Sequence, residues 1–438
     1  IDDDYDGLRR SLWLITNNTY KSAAQTYLSK ISALKEKKLS EDSLQIPDFA
    51  EAPQIELIIP YRNISWDKSK TEALVRKLSS KFYKYPEISY SYVSIYQLNA
   101  KMYFYSSEKT KIFQPLNYLY LTITAQTKSK DGENISNQLQ YFVNEFEQLP
   151  DESLINADIN KMIENIMSKA NSVRLSENYN GPVLFEDQAA AEVFLQTLFS
   201  DEDNLCASRE ILYNVSQMSL FYGPNSNTLD TKIGRQVIDK NISIIDISKT
   251  KTYKGIPLVG SYEVDAEGVI PPDTLYLIKD GILHTLYNGR TPTRNIPYSN
   301  GHYRYVLDDN IVTSSIGPGC IIVNSAKNSS NRDLIDKLID YAKEEGHQYA
   351  YIVRPFIKGN YFASFNVYQI DVDTRKEKLV RGISLKPLKF NSLKKIEIAN
   401  TENTVYNALI NEDLLKIDPY DSFQRSSLMG GKPVSIIC

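Results

Sequence analysis

The chain has 438 residues, of which 42% are hydrophobic and 24% are charged. This is the composition of a folded globular protein long enough for two substantial domains, and it excludes a wholly disordered chain. The formal net charge of −4 disfavours direct nucleic-acid binding, and no run approaches the roughly 20 apolar residues of a membrane span.

The first part of the chain mixes helical and strand patterns. Apolar spacings of three and four predict a helix over residues 5–37, followed by a polar linker over 40–53. Asp67 is placed to cap a second helix that ends before Pro86. Period-two patterns and renewed helical spacing then predict strands at 55–59, 88–96, 101–108 and 118–125, and helices at 138–146 and 158–170. This part is therefore mixed α+β.

Strand patterns dominate the second part of the chain. A helix is predicted around residues 189–199, and another over 332–345, with Gly346 placed to terminate it. The predicted strands lie at 242–247, 261–264, 274–278, 321–324, 349–353, 363–370 and 379–385.

The three cysteines, Cys206, Cys320 and Cys438, form neither a CxxC pair nor a Cys/His cluster with zinc spacing. Their low, odd number argues against a disulfide framework and does not fix the compartment. No GxSxG motif is present, and a lone pairing of serine with histidine cannot be judged from sequence.

Several short segments carry a family resemblance. Residues 105–108 read Tyr-Ser-Ser-Glu, with Lys109 where the family pattern has glycine, and residues 180–185 read Asn-Gly-Pro-Val-Leu-Phe before the predicted central helix. Residues 265–268 read Asp-Ala-Glu-Gly, residues 277–283 read Leu-Ile-Lys-Asp-Gly-Ile-Leu, and residues 299–302 read Ser-Asn-Gly-His. In this order and spacing they resemble the TldD/PmbA family, historically labelled modulators of DNA gyrase and treated as metallopeptidase-related.

The resemblance implies an α+β fold in two domains. Residues 1–175 would form the mixed N-terminal domain, and residues 176–438 a large β-rich domain built as an antiparallel sheet or pseudo-barrel. Family members assemble as dimers whose C-terminal domains enclose an inner chamber. TldD-type subunits bind zinc through HExxxH on the central helix and a later cysteine, whereas PmbA-type (TldE) subunits lack these ligands and act as the partner.

The zinc ligands are missing from this sequence. The chain has three histidines, His284, His302 and His347, and none lies on the central helix. Residues 186–192, Glu-Asp-Gln-Ala-Ala-Ala-Glu, stand where HExxxH would lie, and Cys320 and Cys438 occur in other sequence contexts than the family's cysteine. Hard cations accept all-oxygen sites, but acids at a helix start are also favoured by its dipole, which is the interpretation taken here. We therefore expect no cofactor, and we expect Glu192 on the surface.

The candidate site residues follow the polar loop around residue 300. His302, Asp265 and Glu267 are candidate catalytic residues. The candidate substrate-binding residues, in which arginine would hold a peptide carboxylate, are Arg290, Asn300, His302 and Arg304. The alternatives stay open: His302 can satisfy loop backbone, and the two carboxylates can shape a turn before Gly268. His284 and His347 are interpreted as structural or surface residues.

The leading hypothesis is a TldD/PmbA-family subunit without its own zinc centre, whether homodimeric or paired with a TldD-type subunit, that guides peptides in the chamber. The alternatives are an active peptidase with a non-standard site around His302, and a DNA- or gyrase-directed modulator. Whether the chain is an enzyme stays open. The location would be cytoplasmic, as in typical family members, or periplasmic if a signal peptide preceded Ile1.

Overall fold

The structure of the protein is a computed structural model. It describes residues 4–36, 47–61, 67–176, 178–199, 204–207, 228–293, 295–307, 312–327, 329–383, 385–386, 388–397, 404–410 and 432–438. Residues 40–46 of the predicted linker lie outside this part of the chain. No helix among the described residues is long and apolar enough to cross a membrane.

The N-terminal part is a twisted sheet covered by helices. The exposed helix α1 (Tyr5–Glu36) leads to strand β1 (Glu56–Ile58) and helix α2 (Lys68–Ser80), which Asp67 caps by accepting the Lys70 amide at 2.9 Å. The next elements are β2 (Ile88–Tyr105), β3 (Lys111–Lys128), β4 (Asn134–Val143) and helix α3 (Glu152–Ala170). Strand β3 pairs with β2 on one edge and with β1 and β4 on the other, and an apolar core joins α2 and α3 to this sheet.

One N-terminal prediction was wrong. Residues 138–146 were expected to be helical, but most of them belong to β4, which pairs antiparallel with β3. Side chains on both faces of this strand are buried, including Gln138 and Leu139. Apolar residues at 139, 142, 143 and 146 have helical spacing, while residues 138–141 also alternate, so the local pattern is ambiguous and pairing with β3 decides for a strand.

The C-terminal part contains two larger sheets. The first has the order β11-β10-β7-β14-β20-β19, and the second has the order β5-β18-β17-β15-β6. The strands of the first sheet are β7 (Ile242–Asp246), β10 (Leu275–Lys279), β11 (Ile282–Leu283), β14 (Cys320–Ser325), β19 (Val405–Ile410) and β20 (Lys432–Ile437). Those of the second are β5 (Val173–Arg174), β6 (Val183–Phe185), β15 (Tyr349–Pro355), β17 (Phe365–Asp371) and β18 (Glu377–Arg381).

The remaining short strands form ribbons or join the two parts of the chain. Strands β8 (Thr252–Tyr253) and β9 (Ile256–Pro257) pair with each other, as do β12 (Tyr303–Leu307) and β13 (Val312–Ile316). Strand β16 (Phe362–Ala363) pairs with β4 and so extends the N-terminal sheet.

The central helix α4 (Gln188–Phe199) packs against strands of both C-terminal sheets, and its apolar residues belong to the largest core cluster. Helix α5 (Asn331–Glu344) begins with a capping box at Ser330 and is followed by Gly346 at φ +78°, as predicted. These two helices cover the faces that the sheets would otherwise expose.

The α+β class is confirmed. The sheets are mixed rather than purely antiparallel, because β14 pairs parallel with β20, β15 with β6, and β18 with β5. No sheet closes into a barrel in the described part of the chain. The strand predicted at 261–264 is absent: the amide of Ser261 donates to the Leu258 carbonyl, that of Tyr262 donates to the Ser248 carbonyl, and residues 263–264 form a bend. The domain boundary at residue 175 stays a prediction.

The turn between β2 and β3 explains the departure at Lys109. Its amide donates to the Ser106 carbonyl at 3.0 Å, and its φ is +70°, in the left-handed region that favours glycine. We expect Lys109→Gly to stabilise the protein by about 0.5 kcal/mol, because the relieved strain is partly offset by the greater entropy of the unfolded chain. Thermal unfolding measures this change.

The matched control lies in the next hairpin of the same sheet. Gly132 has φ +86°, and an added Cβ would meet nothing within 4 Å. Gly132→Ala therefore tests backbone strain alone and should destabilise the protein by about 1 kcal/mol. If both substitutions shifted the melting temperature in the same direction, the strain at Lys109 would be refuted.

Candidate functional site

The start of central helix α4 opens into a cavity of about 330 Å³. Two of its acids are paired with cations from the chain: Glu186 lies 3.2 Å from the Arg354 guanidinium, and Asp187 lies 3.0 Å from the Lys358 ammonium. Burial raises the pKa of Glu186 despite the opposing effect of Arg354. Arg354 also donates a hydrogen bond to Glu377 at 2.8 Å, so the two cations are shared among three carboxylates.

The polar residues further along α4 are committed to the fold. Glu192 was expected on the surface, which is wrong, because only 4% of it is exposed and it accepts the Tyr406 hydroxyl at 2.5 Å. The Gln188 amide donates to the Gly359 carbonyl and accepts the Ala363 amide. Helix α4 is buried on several sides, so its polar residues are buried as well. In the sequence this burial is visible only as a run of alanines and large apolar residues.

Cys438 borders the same cavity, although its sequence context differs from that of the family's cysteine. Burial, and then the nearby charge of Asp187, raises the pKa of its thiol to about 12. Near neutral pH the thiol therefore favours its protonated form.

The residues around the cavity do not fit a zinc ion. Histidine is absent from α4, and the two acids at its start are paired with cations from the chain. Among the described residues, no group of three or more His, Cys, Asp or Glu side chains is arranged to hold a metal.

His302 lies in a buried polar cluster rather than in an open loop. Its side chain is 1% exposed, and its Nδ1 lies 2.8 Å from the Asn300 carbonyl oxygen. Because a carbonyl only accepts, Nδ1 carries the proton. The other ring nitrogen faces Asp246 Oδ1 at 3.5 Å, and the ring packs on Tyr287 with centroids 4.7 Å apart.

Asp246 is the centre of this cluster. Its oxygens accept hydrogen bonds from the Ser248 amide and hydroxyl, the Tyr287 hydroxyl and the Gly319 amide. Burial opposes ionisation, but His302 and these hydrogen bonds outweigh it and hold the pKa of Asp246 below its ordinary value. The Ser248 hydroxyl donates to Asp246 and not to His302, so the three side chains do not form a nucleophilic triad.

Asp265 and Glu267 shape a turn. The carboxylate of Asp265 accepts the amides of Glu267, Val269 and Tyr303 at 2.8–3.1 Å, and Glu267 accepts the Arg290 amide at 2.5 Å. Burial is the main cause that raises the pKa of both carboxyl groups. These contacts favour the turn interpretation over catalysis, which stays a prediction.

Arg290 and Asn300 also have partners within the chain. Arg290 makes two hydrogen bonds of 2.6 Å to Glu108, and its Nε donates to the Ala50 carbonyl at 2.8 Å. Asn300 accepts the Asn288 amide and donates to a backbone carbonyl. Their predicted role in substrate binding stays a prediction. His284 is exposed, and His347 packs on Tyr179.

A second cavity, of about 400 Å³, separates the N-terminal sheet from the C-terminal part of the chain. Residues 114–118 of β3 line one side, and Tyr262, Asp265 and Arg304 line the other. Of the six predicted site residues, Asp265 and Arg304 border this space, which we call the interdomain cleft. Its two walls come from segments more than 100 residues apart, and only folding brings them together.

Sequence reasoning missed two groups of residues. Asp246 had a detectable signal, because it occupies the same alternating face of β7 as the buried Ile242 and Ile244. A charged residue on such a face indicates a buried polar cluster. Arg354 and Lys358 lie far along the chain from the acids with which they pair, and no local pattern reveals this pairing.

Fold and site together define an α+β protein whose central helix begins at a cavity of cation-paired acids instead of a histidine metal site. Residues 176–341 match the sequence profile of the PmbA/TldA metallopeptidase C-terminal domain. These residues, less than half of the chain, are therefore similar to the C-terminal domain of the TldD/PmbA family. No curated protein matches the chain.

Three solved structures are similar at low identity. A proposed modulator of DNA gyrase from Thermotoga maritima is 14% identical, with a TM-score of 0.46, and the match covers 79% of this chain and 78% of that one. A second, from Bacteroides thetaiotaomicron, is 10% identical with a TM-score of 0.48 over 78% and 68% of the two chains. TldE from Thermococcus kodakarensis is 13% identical with a TM-score of 0.48 over 90% and 80%. The family likeness is therefore taken from the match over residues 176–341 alone.

Proposed function

We propose that this chain is a TldD/PmbA-family subunit that has no zinc centre of its own and binds peptide segments, either as a homodimer or beside a TldD-type partner. The observation that supports this proposal most strongly concerns the side chains of the central helix and of the two residues before it. Its acids hold Arg354 and Lys358, and it has no histidine. Peptide is the ligand class because the matched domain belongs to a metallopeptidase family.

The alternative of a peptidase centred on His302 has less support. The imidazole is buried and shares its Nδ1 proton with a backbone carbonyl, and Asp265 and Glu267 are occupied by backbone amides. A general base must reach the proton that it removes from substrate or water. If the alternative held, His302→Ala would abolish peptide hydrolysis by an otherwise active protein.

Metal content tests the proposal. We expect protein purified after incubation with zinc and dialysis to contain far less than one zinc per chain by mass spectrometry. A chelator should change neither the melting temperature of the protein nor the rate at which unstructured peptides are hydrolysed in its presence. A TldD-type protein carrying HExxxH, treated in parallel, shows that the procedure retains a real site.

A variant makes this test specific. The double substitution Glu186→Gln with Asp187→Asn removes the two acids that line the cavity at the helix start. It should leave the low zinc content unchanged. Stoichiometric zinc in the unmodified protein, lost in this variant together with chelator-sensitive hydrolysis, would refute the proposal.

A further inference from the structure

The interdomain cleft contains an arginine that forms no ion pair with any acidic residue in the described part of the chain. Arg304 is 5% exposed and lines the cleft beside Tyr262 and Tyr305. Its Nη2 donates to the carbonyls of Gly260 and Pro433 at 3.1 and 3.3 Å, and its guanidinium carbon lies 3.6 Å from the centroid of the Tyr262 ring. Its Nε has no hydrogen-bond partner in the described part of the chain.

The other buried arginines of the described residues provide an internal comparison. Arg290 is bound by Glu108, and Arg381 is bound by Asp131 and Glu133. No described aspartate or glutamate forms an ion pair with Arg304. Arginine remains charged in proteins, and burying a charge without a partner is costly. A partner from outside the chain would resolve this imbalance.

The cleft favours a ligand with a single negative charge. Its other charged lining residues are Lys251, which pairs with Glu263 at 2.7 Å, and the acids Glu145 and Asp265. A doubly charged phosphate would be repelled by these carboxylates, and Arg304 alone would have to compensate for its charge. A carboxylate matches the charge of Arg304 and the geometry of a guanidinium.

We propose that Arg304 binds the C-terminal carboxylate of a peptide whose last residues occupy the interdomain cleft. This inference rests on the proposed function and specifies where and by which end the peptide is held. The volume of the cleft lies within the usual range of small-ligand sites and suits the end of a chain. The tyrosines on its walls offer apolar surface with polar tips to the terminal side chains.

The test compares two fluorescent peptides of one unstructured sequence, the first ending in a free carboxylate and the second in an amide. With the unmodified protein, anisotropy titration should show the free acid binding about tenfold or more tightly, as expected for a charge-assisted hydrogen bond. In Arg304→Gln, the two peptides should bind equally. The measured quantity is the ratio of the two affinities. A general loss of stability would weaken the binding of both peptides alike and leave this ratio unchanged.

Two further variants guard against misfolding and surface effects. Arg304→Lys keeps the charge and should retain part of the preference for the acid. Arg375→Gln makes the same chemical change at an exposed ion pair with Asp336 and should leave the ratio unaltered. Circular dichroism and thermal unfolding establish that each variant is folded.

The outcomes separate this inference from the proposed function. Equal binding of the acid and the amide to the unmodified protein overturns the role of the carboxylate and leaves peptide binding standing. A preference for the acid that persists in folded Arg304→Gln overturns the assignment to Arg304. Failure of both peptides to bind overturns peptide binding itself.

Discussion

Asp246→Ala should destabilise the protein by about 4 kcal/mol, the largest effect expected of any single polar substitution considered. The carboxylate is 1% exposed and accepts hydrogen bonds from four donors on Ser248, Tyr287 and Gly319. Removing it leaves these donors buried without an acceptor, and each unsatisfied group costs about 1–3 kcal/mol before relaxation. Denaturant unfolding followed by circular dichroism measures the loss.

The matched control changes one donor and keeps the acceptor. Ser248→Ala removes one hydroxyl that donates to Asp246 and leaves three hydrogen bonds in place, so it should cost only about 1 kcal/mol. Equal effects of the two substitutions would show that Asp246 does not organise the cluster. The result bears on function, because the cluster supports the loop that carries His302 and leads to Arg304.

Arg290→Met should destabilise the protein by about 2 kcal/mol. The arginine side chain is 3% exposed, donates twice to Glu108 and once to the Ala50 carbonyl, and lies 4.1 Å from the centroid of the Phe49 ring. Breaking a buried pair costs about 3–5 kcal/mol, but the Glu108 side chain is 39% exposed and would recover hydration. Denaturant unfolding measures the loss, and hydrogen exchange should show faster opening around residues 48–51.

The pH dependence of stability tests whether the ion pair of Arg290 with Glu108 causes this loss. The hydrogen bond from Arg290 holds the pKa of Glu108 below its ordinary value, so the pair stabilises the fold above the ordinary glutamate pKa. This contribution is lost as the pH falls through the lowered value. In Arg290→Met that part of the acid dependence should disappear, and Glu108→Gln should also remove it, with a cost of its own because the buried Arg290 charge loses its counter-charge. A variant with unchanged stability and unchanged acid dependence would refute the assignment.

Local patterns were enough for most elements of the fold. Asp67 caps helix α2, Ser330 caps α5, and the alternating residues of β7 and β15 form strands as predicted. The prediction failed at β4, where apolar residues also recur at spacings of three and four and only pairing with β3 decides for a strand. It also failed at residues 261–264, where the amides of Ser261 and Tyr262 donate to the carbonyls of Leu258 and Ser248 and residues 263–264 form a bend.

The candidate site was predicted less completely, and the two arginines show why. Arg290 and Arg304 lie in the same segment and have the same chemistry, and both were expected to bind substrate. Arg290 meets Glu108 from 182 residues away, whereas Arg304 reaches the interdomain cleft without an acidic partner among the described residues. Nothing near either residue in sequence distinguishes these outcomes.

The sequence by itself determined the α+β class, the capped helices, the family motifs and the absence of histidine from the central helix, because these depend on composition and on residues within one or two turns of each other. Tertiary structure alone decided that Glu186 and Asp187 hold cations, that Glu192 and His302 are buried, and that Arg304 lines a cleft. The energy of a charged or polar side chain is set by the partners and the water around it. Those are contributed by segments that meet only when the chain folds.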